Sequence, residues 1–241
     1  MINSVRNTVL AVLNKNNYGY ISPSDFNLFA KQAQLDIFDS YISSFNNQIN
    51  KENARMSGTE YADITKNIEE VIDSFSVTGS LTQSSLNIYS LPSITTTGHD
   101  YYLLNKVLCF SQSVFKGEAE KVSHSKITML NNSLLTKPSA SYPAYTQEAD
   151  LLTVYPSTFN GATDIQAQYI RYPKDPKWTY ISILGGEPIF DQTQSDYQDF
   201  ELPIEDEPKL VAKILQYSGI SIRETDVFQF GKIEEQTQNQ Q

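Results

Sequence analysis

Residues 18–49, YGYISPSDFNLFAKQAQLDIFDSYISSFNNQI, constrain this chain more than any other stretch. Tyr18-Gly19-Tyr20 follows the polar run Asn14-Lys15-Asn16-Asn17 and reads as a turn, with Gly free to take positive φ. Ser22 is placed to accept from the orphan N–H groups of a following helix, Pro23 suits its first position, and Asp25 complements its positive end. Apolar residues then recur at Phe26, Phe29, Ala33, Ile37, Tyr41, Phe45 and Ile49, widened by Ala30, Phe38 and Ile42. That is the spacing of one helical face, with Lys31, Gln32, Gln34 and Asp36 largely on the other. A long amphipathic helix cannot stand alone, so it demands partners.

Those partners are legible nearby. Ile2, Val5, Val9, Val12 and Leu13 predict a short helix over residues 2–15, and Tyr61, Ile64, Ile68, Val71 and Phe75 predict another. Asp63, Glu69, Glu70 and Asp73 line the outer side of the latter as a solvated face. The first 78 residues therefore read as a helical bundle. One decoy sits within it: Asn14, Asn16, Tyr18, Gly19, Ile21, Ser22 and Asp25 fall on EF-hand spacing. A single carboxylate, with Asp in place of the closing Glu, would hold calcium poorly, so the stretch is read as an inter-helix turn.

Helical periodicity stops near Ser76, where VTGSLTQSS is turn-rich. Residues 86–91, 100–110, 119–130, 151–155, 165–172 and 178–184 read as short strands between loops punctuated by Pro92, Pro138, Pro143, Pro156, Pro173, Pro176 and Pro188. Ile165, Ala167 and Tyr169 alternate with Gln166, Gln168 and Ile170, as on a half-buried strand. Residues 134–149 read as an exposed excursion. Residues 79–200 are thus expected to form a β-rich domain, barrel- or sandwich-like, with edges open to partners. From residue 201, Pro203 precedes a helix opening on Glu205, Asp206 and Glu207, with Leu210, Val211, Ile214, Leu215 and Tyr217 as its apolar face and Gly219 as its cap. A last short segment carries Val227, Phe230 and Ile233 before a polar tail. Residues 201–241 are expected to pack back on the bundle. The fold class is α+β.

Charge and chemistry narrow the function. The formal net charge is −10, and residues 187–241 hold twelve acids against four bases, which gives no footprint for gripping nucleic-acid phosphates. No run of the chain is apolar enough to span a membrane, and no secretory leader pattern is present, so the cytoplasm is the expected place of synthesis. The single cysteine, Cys109, reads as a buried small hydrophobe. His99 and His124 have no metal-ligand spacing, and neither a nucleophile elbow nor a phosphate loop occurs. Gly185-Gly186 is a turn signal, and Glu118 with Glu120 is an ordinary acidic pair. No catalytic residue, cofactor or metal is expected. Trp178 is expected to plug the β core. The interface candidates are Arg171 and Tyr172 in the aromatic run 169–178, with Phe228 and Phe230 near the end.

The run NKNNYGYISPSDFNLFAKQAQLDIF resembles the N-terminal signature of virion neck proteins of crAss-like tailed phages, carried here by Asn16, Gly19, Tyr20, Ile21, Pro23, Phe26, Asn27, Ala33 and Gln34. TVYPST, YIRYPKDPKW and ELPIEDEPKLVAKILQYSGISIRE resemble later blocks of the same family. The resemblance implies a non-enzymatic virion protein, a head–tail connector or adaptor ring that docks on the portal and joins capsid to tail. Its partners would be copies of itself, in a dodecamer by family resemblance, the portal protein and the next neck or tail protein. DNA would pass through the channel without specific binding, and no membrane is involved. The alternatives are a stopper, tail-tube or minor capsid protein, or a phage-encoded enzyme or regulator.

Overall fold

A computed structural model describes residues 1–15, 21–55, 62–182, 188–221 and 232–233. The protein is α+β, with helices toward both ends and a sheet-rich centre. It divides into two compact units, Met1–Val71 with Pro173–Gln241, and Ile72–Tyr172. The boundaries therefore differ from those at 78/79 and 200/201 suggested by the sequence. Residues 173–200 belong with the helices, and the two larger sheets occupy residues 76–171.

In the helical unit, α1 is Ile2–Lys15 and α2 is Pro23–Arg55, while α3, Ala62–Asp73, carries the chain across the boundary after Val71. Helix α2 starts where the capping signal puts it. Ser22 Oγ accepts from the Asp25 N–H at 3.2 Å and donates to Asp25 Oδ2 at 2.7 Å. The helix runs past Ile49 to Arg55. Its expected stripe is buried only at the front, at Phe26, Ala30, Ala33, Ile37 and Phe38, while Tyr41 and Phe45 are half-buried and Ile49 is exposed. Helix α6, Glu207–Ser221, packs on both α1 and α2. It buries Leu210, Ile214 and Leu215, each contributing roughly 1.5–3 kcal/mol by removal of apolar surface from water. Gly219 lies inside α6 and does not cap it, because the helix continues to Ser221. Of the EF-hand look-alike, Asn16, Tyr18 and Gly19 lie outside the described residues.

Two polar latches tie α2 to the C-terminal helix. Tyr41 donates to both oxygens of Asp206, at 2.9 and 2.8 Å, and Lys209 meets the same carboxylate at 3.0 Å. One helical turn away on α2, Asp36 accepts from the Tyr217 hydroxyl and lies 3.6 Å from Lys213 Nζ. The extended segment before α6 is fixed by Trp178, which is buried among helices and not in the sheet core as the sequence suggested. Its backbone N–H donates to Asn27 Oδ1 at 2.8 Å, and its carbonyl accepts from Asn27 Nδ2 at 3.2 Å. A small ribbon follows, β10 (Tyr180–Ile181) against β11 (Ile189–Phe190). Residues 183–184 of the expected strand 178–184 lie outside the described residues.

Asp199 closes this unit onto α1. Its carboxylate accepts from the Met1 ammonium at 3.0 Å, the Ile2 N–H at 2.7 Å and the Phe200 N–H at 2.8 Å. Burial works against the charge, but these donors outweigh it and hold the carboxyl pKa below the ordinary value. A depressed folded pKa gives stability that is fully present above the unfolded value, about 4, and is lost as pH falls through the folded one. Asp199→Asn should therefore flatten the acid limb of a stability-versus-pH curve measured by urea unfolding. An unchanged limb would remove Asp199 from the acid response.

The sheet unit is built of two sheets facing one core. One sheet has the order β1 (Ser76–Ser80), β9 (Ile165–Arg171), β4 (Tyr101–Ser111), β5 (Val114–Glu118). The other runs β2 (Thr82–Ser85), β3 (Ile88–Ser90), β8 (Leu151–Tyr155), β7 (Ala144–Glu148), β6 (Glu120–Lys121). Two chain segments turn the corners between them. At Leu81, between β1 and β2, the N–H donates to the Ile165 carbonyl at 3.0 Å. At Ala119, between β5 and β6, the N–H donates to the Val107 carbonyl at 2.8 Å. The chain thus passes from one sheet to the other at both corners, and β1, β5, β2 and β6 each stand at the end of a sheet with one paired neighbour, the edges anticipated from sequence. Both sheets line one core of Leu81, Tyr89, Val107, Cys109, Leu152, Val154, Ile165, Ala167 and Tyr169. The expected alternation in β9 is present, with Gln166 and Gln168 half-buried, although Ile170 is buried as well.

Three sequence readings fail in this unit, the first at the turn-rich residues 77–85, which form most of β1 and all of β2. Residues 119–130 are not one strand: beyond the short α4, Ile94–Thr97, Ser123 caps α5, His124–Asn132. Residues 134–149 are not all excursion, since Pro143, Ala144, Tyr145 and Thr146 are buried in and beside β7. A tight loop closes the far end of β9. Asp164 accepts from the N–H groups of Asn160 at 3.2 Å and Gly161 at 2.7 Å. A Cβ on Gly161 would lie 2.6 Å from Asp164 Oδ1. Gly161→Ala must push that carboxylate off its donors and should lower unfolding free energy by about 1–3 kcal/mol in chemical denaturation.

Candidate interaction surface

The most unusual surface of the sheet unit grows from α5 and the loop after it. Within α5 only Ile127 is buried, packing with Val122 and Ala144, and with Leu130 and Tyr155 at the margin. That one-sided anchorage leaves the outer face free, and Met129 is 74% exposed. The loop beyond is shaped by its own backbone. Lys137 N–H donates to the Ser133 carbonyl at 3.1 Å, and Ser139 and Tyr142 pair through both backbone groups at 3.2 and 3.1 Å. The Ser141 carbonyl lies where a Cβ on Gly117 would come within 3.1 Å of it, so Gly117 lets the loop approach β5.

Held this way, Leu134 and Leu135 are 98% and 96% exposed, and Tyr142 is 82% exposed. Adjacent fully exposed leucines gain nothing where they are, and covering each would contribute roughly 1.5–3 kcal/mol. The β4–β5 hairpin adds exposed Val114 and Phe115, with Phe115 edge-on to Phe110 at 5.6 Å. Lysines accompany these apolar groups. Lys116, Lys126 and Lys137 have no ion-pair partner among the described residues, and Lys121 donates to Gln147 Oε1 at 2.9 Å. The surface is apolar and basic, in a chain whose net charge is −10.

The candidates nominated by sequence lie elsewhere. Arg171 ends β9 half-buried, with its guanidinium 5.8 Å from the Phe75 ring centroid and its Nη1 donating to the Tyr172 carbonyl at 3.2 Å. Tyr172 is 38% exposed and meets Tyr102 edge-on at 5.1 Å. These contacts hold both side chains within their own unit while leaving the Tyr172 ring partly open to solvent. Phe228 and Phe230 lie outside the described residues. Leu134, Leu135 and Met129 carried no interface signal in the sequence, because an exposed leucine and a core leucine read alike without periodicity.

The groups with chemical potential serve packing. His99 Nε2 lies 2.9 Å from the Tyr169 hydroxyl, with the rings stacked at 5.9 Å, and burial raises the pKa of that phenol. His124 Nε2 is 3.3 Å from the Gln147 carbonyl oxygen. Cys109 is buried in the core between the sheets, and burial foremost, with the Asp164 charge behind it, pushes its thiol up to about 12. Such a thiol is not a nucleophile at neutral pH. Glu118 pairs with Lys106 at 3.4 Å, while Glu120 belongs to β6. Among the described residues no cluster of His, Cys, Asp and Glu could hold a metal ion, and no helix is long and apolar enough to cross a membrane. Comparison with protein-family models gives no match, and no curated protein matches the chain.

Proposed function

We propose that the chain is a structural subunit of a tailed-phage neck, a head–tail connector that works by binding and not by catalysis. The observation that carries this reading is the ordered loop presenting Leu134 and Leu135 to solvent. A protein whose work is assembly gains from such a surface, whereas an isolated soluble enzyme pays for it in solubility. The resemblance of residues 14–38 to neck proteins supplies the specific setting. In that setting copies of the chain form a ring, docked on the portal protein on one side and on the next neck or tail protein on the other. Surface carboxylates such as Asp191, Asp196, Glu205 and Glu207 would disfavour adhesion of passing DNA wherever they face the channel. Mass spectrometry of purified virions, followed by reconstruction of the particle, tests the reading. The expected result is a ring of this chain between portal and tail. Its absence from the particle, or a place away from the neck, overturns it.

A further inference from the structure

We infer that the basic, leucine-bearing loop of one copy docks on the acidic turn before α6 of a second copy. The inference deepens the proposed assembly role and rests on that reading for the expectation that copies associate. Two surfaces of opposite character carry it. Residues 114–143 hold four lysines against two glutamates, and they expose Val114, Phe115, Met129, Leu134, Leu135 and Tyr142. The helical unit offers the reverse. Ile204, in the 3-10 turn Ile204–Asp206, is 76% exposed and stands among Glu201, Glu205 and Glu207.

The acidic turn is as firmly built as the leucine loop. Asp206 is buried and held by Tyr41 and Lys209, which fixes the backbone of Ile204 and Glu205. Glu207 accepts from Ser4 Oγ at 2.5 Å, and Glu205 extends into solvent. Each partner thus presents an apolar centre within a charged surround, and the two surrounds have opposite sign, the pattern that steers and registers protein association. A chain carrying ten excess negative charges repels its copies in most orientations. An approach that brings Lys126 and Lys137 onto Glu205 is an exception. With donor and acceptor surfaces made of different residues, the contact is able to repeat from copy to copy without a two-fold axis, as ring closure requires.

The full-length chain is the material for the test. Sedimentation of the wild type should show concentration-dependent association. Leu134→Asp with Leu135→Asp should weaken it at least about a hundredfold, from the loss of two buried leucines. An unchanged thermal melt shows that the variant is folded. A Leu135→Cys variant can then be labelled selectively with a photo-crosslinking maleimide, since Cys109 is buried. Crosslinks between copies should fall on residues 201–207. Association that survives the double substitution overturns the inference, as do crosslinks confined to other segments, a wild type that stays monomeric at all concentrations, or crosslinks only to added duplex DNA. The neck assignment is decided separately by where the chain lies in virions, so either idea fails without the other.

Discussion

Trp178→Ala should lower the unfolding free energy of the helical unit by about 3–5 kcal/mol, the range for emptying a buried Trp site. The side chain is 1% exposed, and its loss removes more than area. The Arg6 guanidinium sits 3.8 Å from the ring centroid, a cation–π contact made in a desolvated place. The indole N–H donates to Asn3 Oδ1 at 3.1 Å, and the ring stacks on Tyr180 and Phe190 at 5.5 and 5.9 Å. Truncation would therefore take the ring from beside a buried Arg6, itself 6% exposed, and leave a cavity next to that charge. Trp178→Phe keeps the stack and loses the hydrogen bond and some area, so about 1–2 kcal/mol is expected. Trp178 is the chain's one tryptophan, so unfolding must be followed by circular dichroism in these variants. A cost under 1 kcal/mol for the alanine variant would mean that residues 173–182 do not anchor on α1 and α2.

What sequence could and could not show follows from where each element's signal resides. Helices α1 and α2 announce themselves locally, because capping by Ser22 and Pro23 and a 3-and-4 apolar spacing need no distant residue. Strands β8 and β9 were legible for the same reason: both are short apolar runs bounded by turn residues. The corner strands were not. Residues 76–85 are mostly exposed Ser, Thr and Gln, and only Leu81, buried at the bend, and half-buried Val77 report the core. Their pairing with β9 and β3 is a tertiary fact. Hairpin turns were hidden by unusual chemistry. Gln112 and Ser113 both take positive φ, at 52° and 63°, without the Asn or Gly that normally marks such a turn. Helix α5 lost to its β-branched and apolar residues, though Ser123 was a readable cap. The helical neighbourhood of Trp178 depends on Asn27, far away in sequence, which no window could contain.

The interaction surface was the least legible part. The stretch Asn131-Asn132-Ser133-Leu134-Leu135-Thr136-Lys137 has no period, so only the fold reveals that both leucines point to solvent. Residues 134–142 are exposed apart from Pro138, and burial resumes at Pro143, just before β7. Arg and Tyr enrichment at hot spots favours Arg171 and Tyr172, and a residue-type preference does not report that Phe75 and Tyr102 pack on them, with Tyr172 still 38% exposed.

Asp206→Ala should cost about 2–3 kcal/mol, an expectation that follows from removing a buried charged acceptor. The carboxylate is 1% exposed and takes both bonds from one Tyr41 hydroxyl and a third from Lys209. Burial foremost, then the bond to Asp206 and its charge, raise the Tyr41 pKa, so the phenol stays a donor across the accessible pH range. Removing Asp206 leaves that hydroxyl partly buried without its acceptor, while Lys209, 42% exposed, turns to water at little cost. Tyr41→Phe removes the donor and leaves a buried carboxylate with Lys209 alone, which should cost about as much. The double variant should then be less than additive by about 1–2 kcal/mol, because the second substitution removes a group already deprived of its partner. Additive losses in that cycle would show that Tyr41 and Asp206 act independently. Coupled losses would establish the latch that joins α2 to α6 and fixes the turn bearing Ile204 and Glu205.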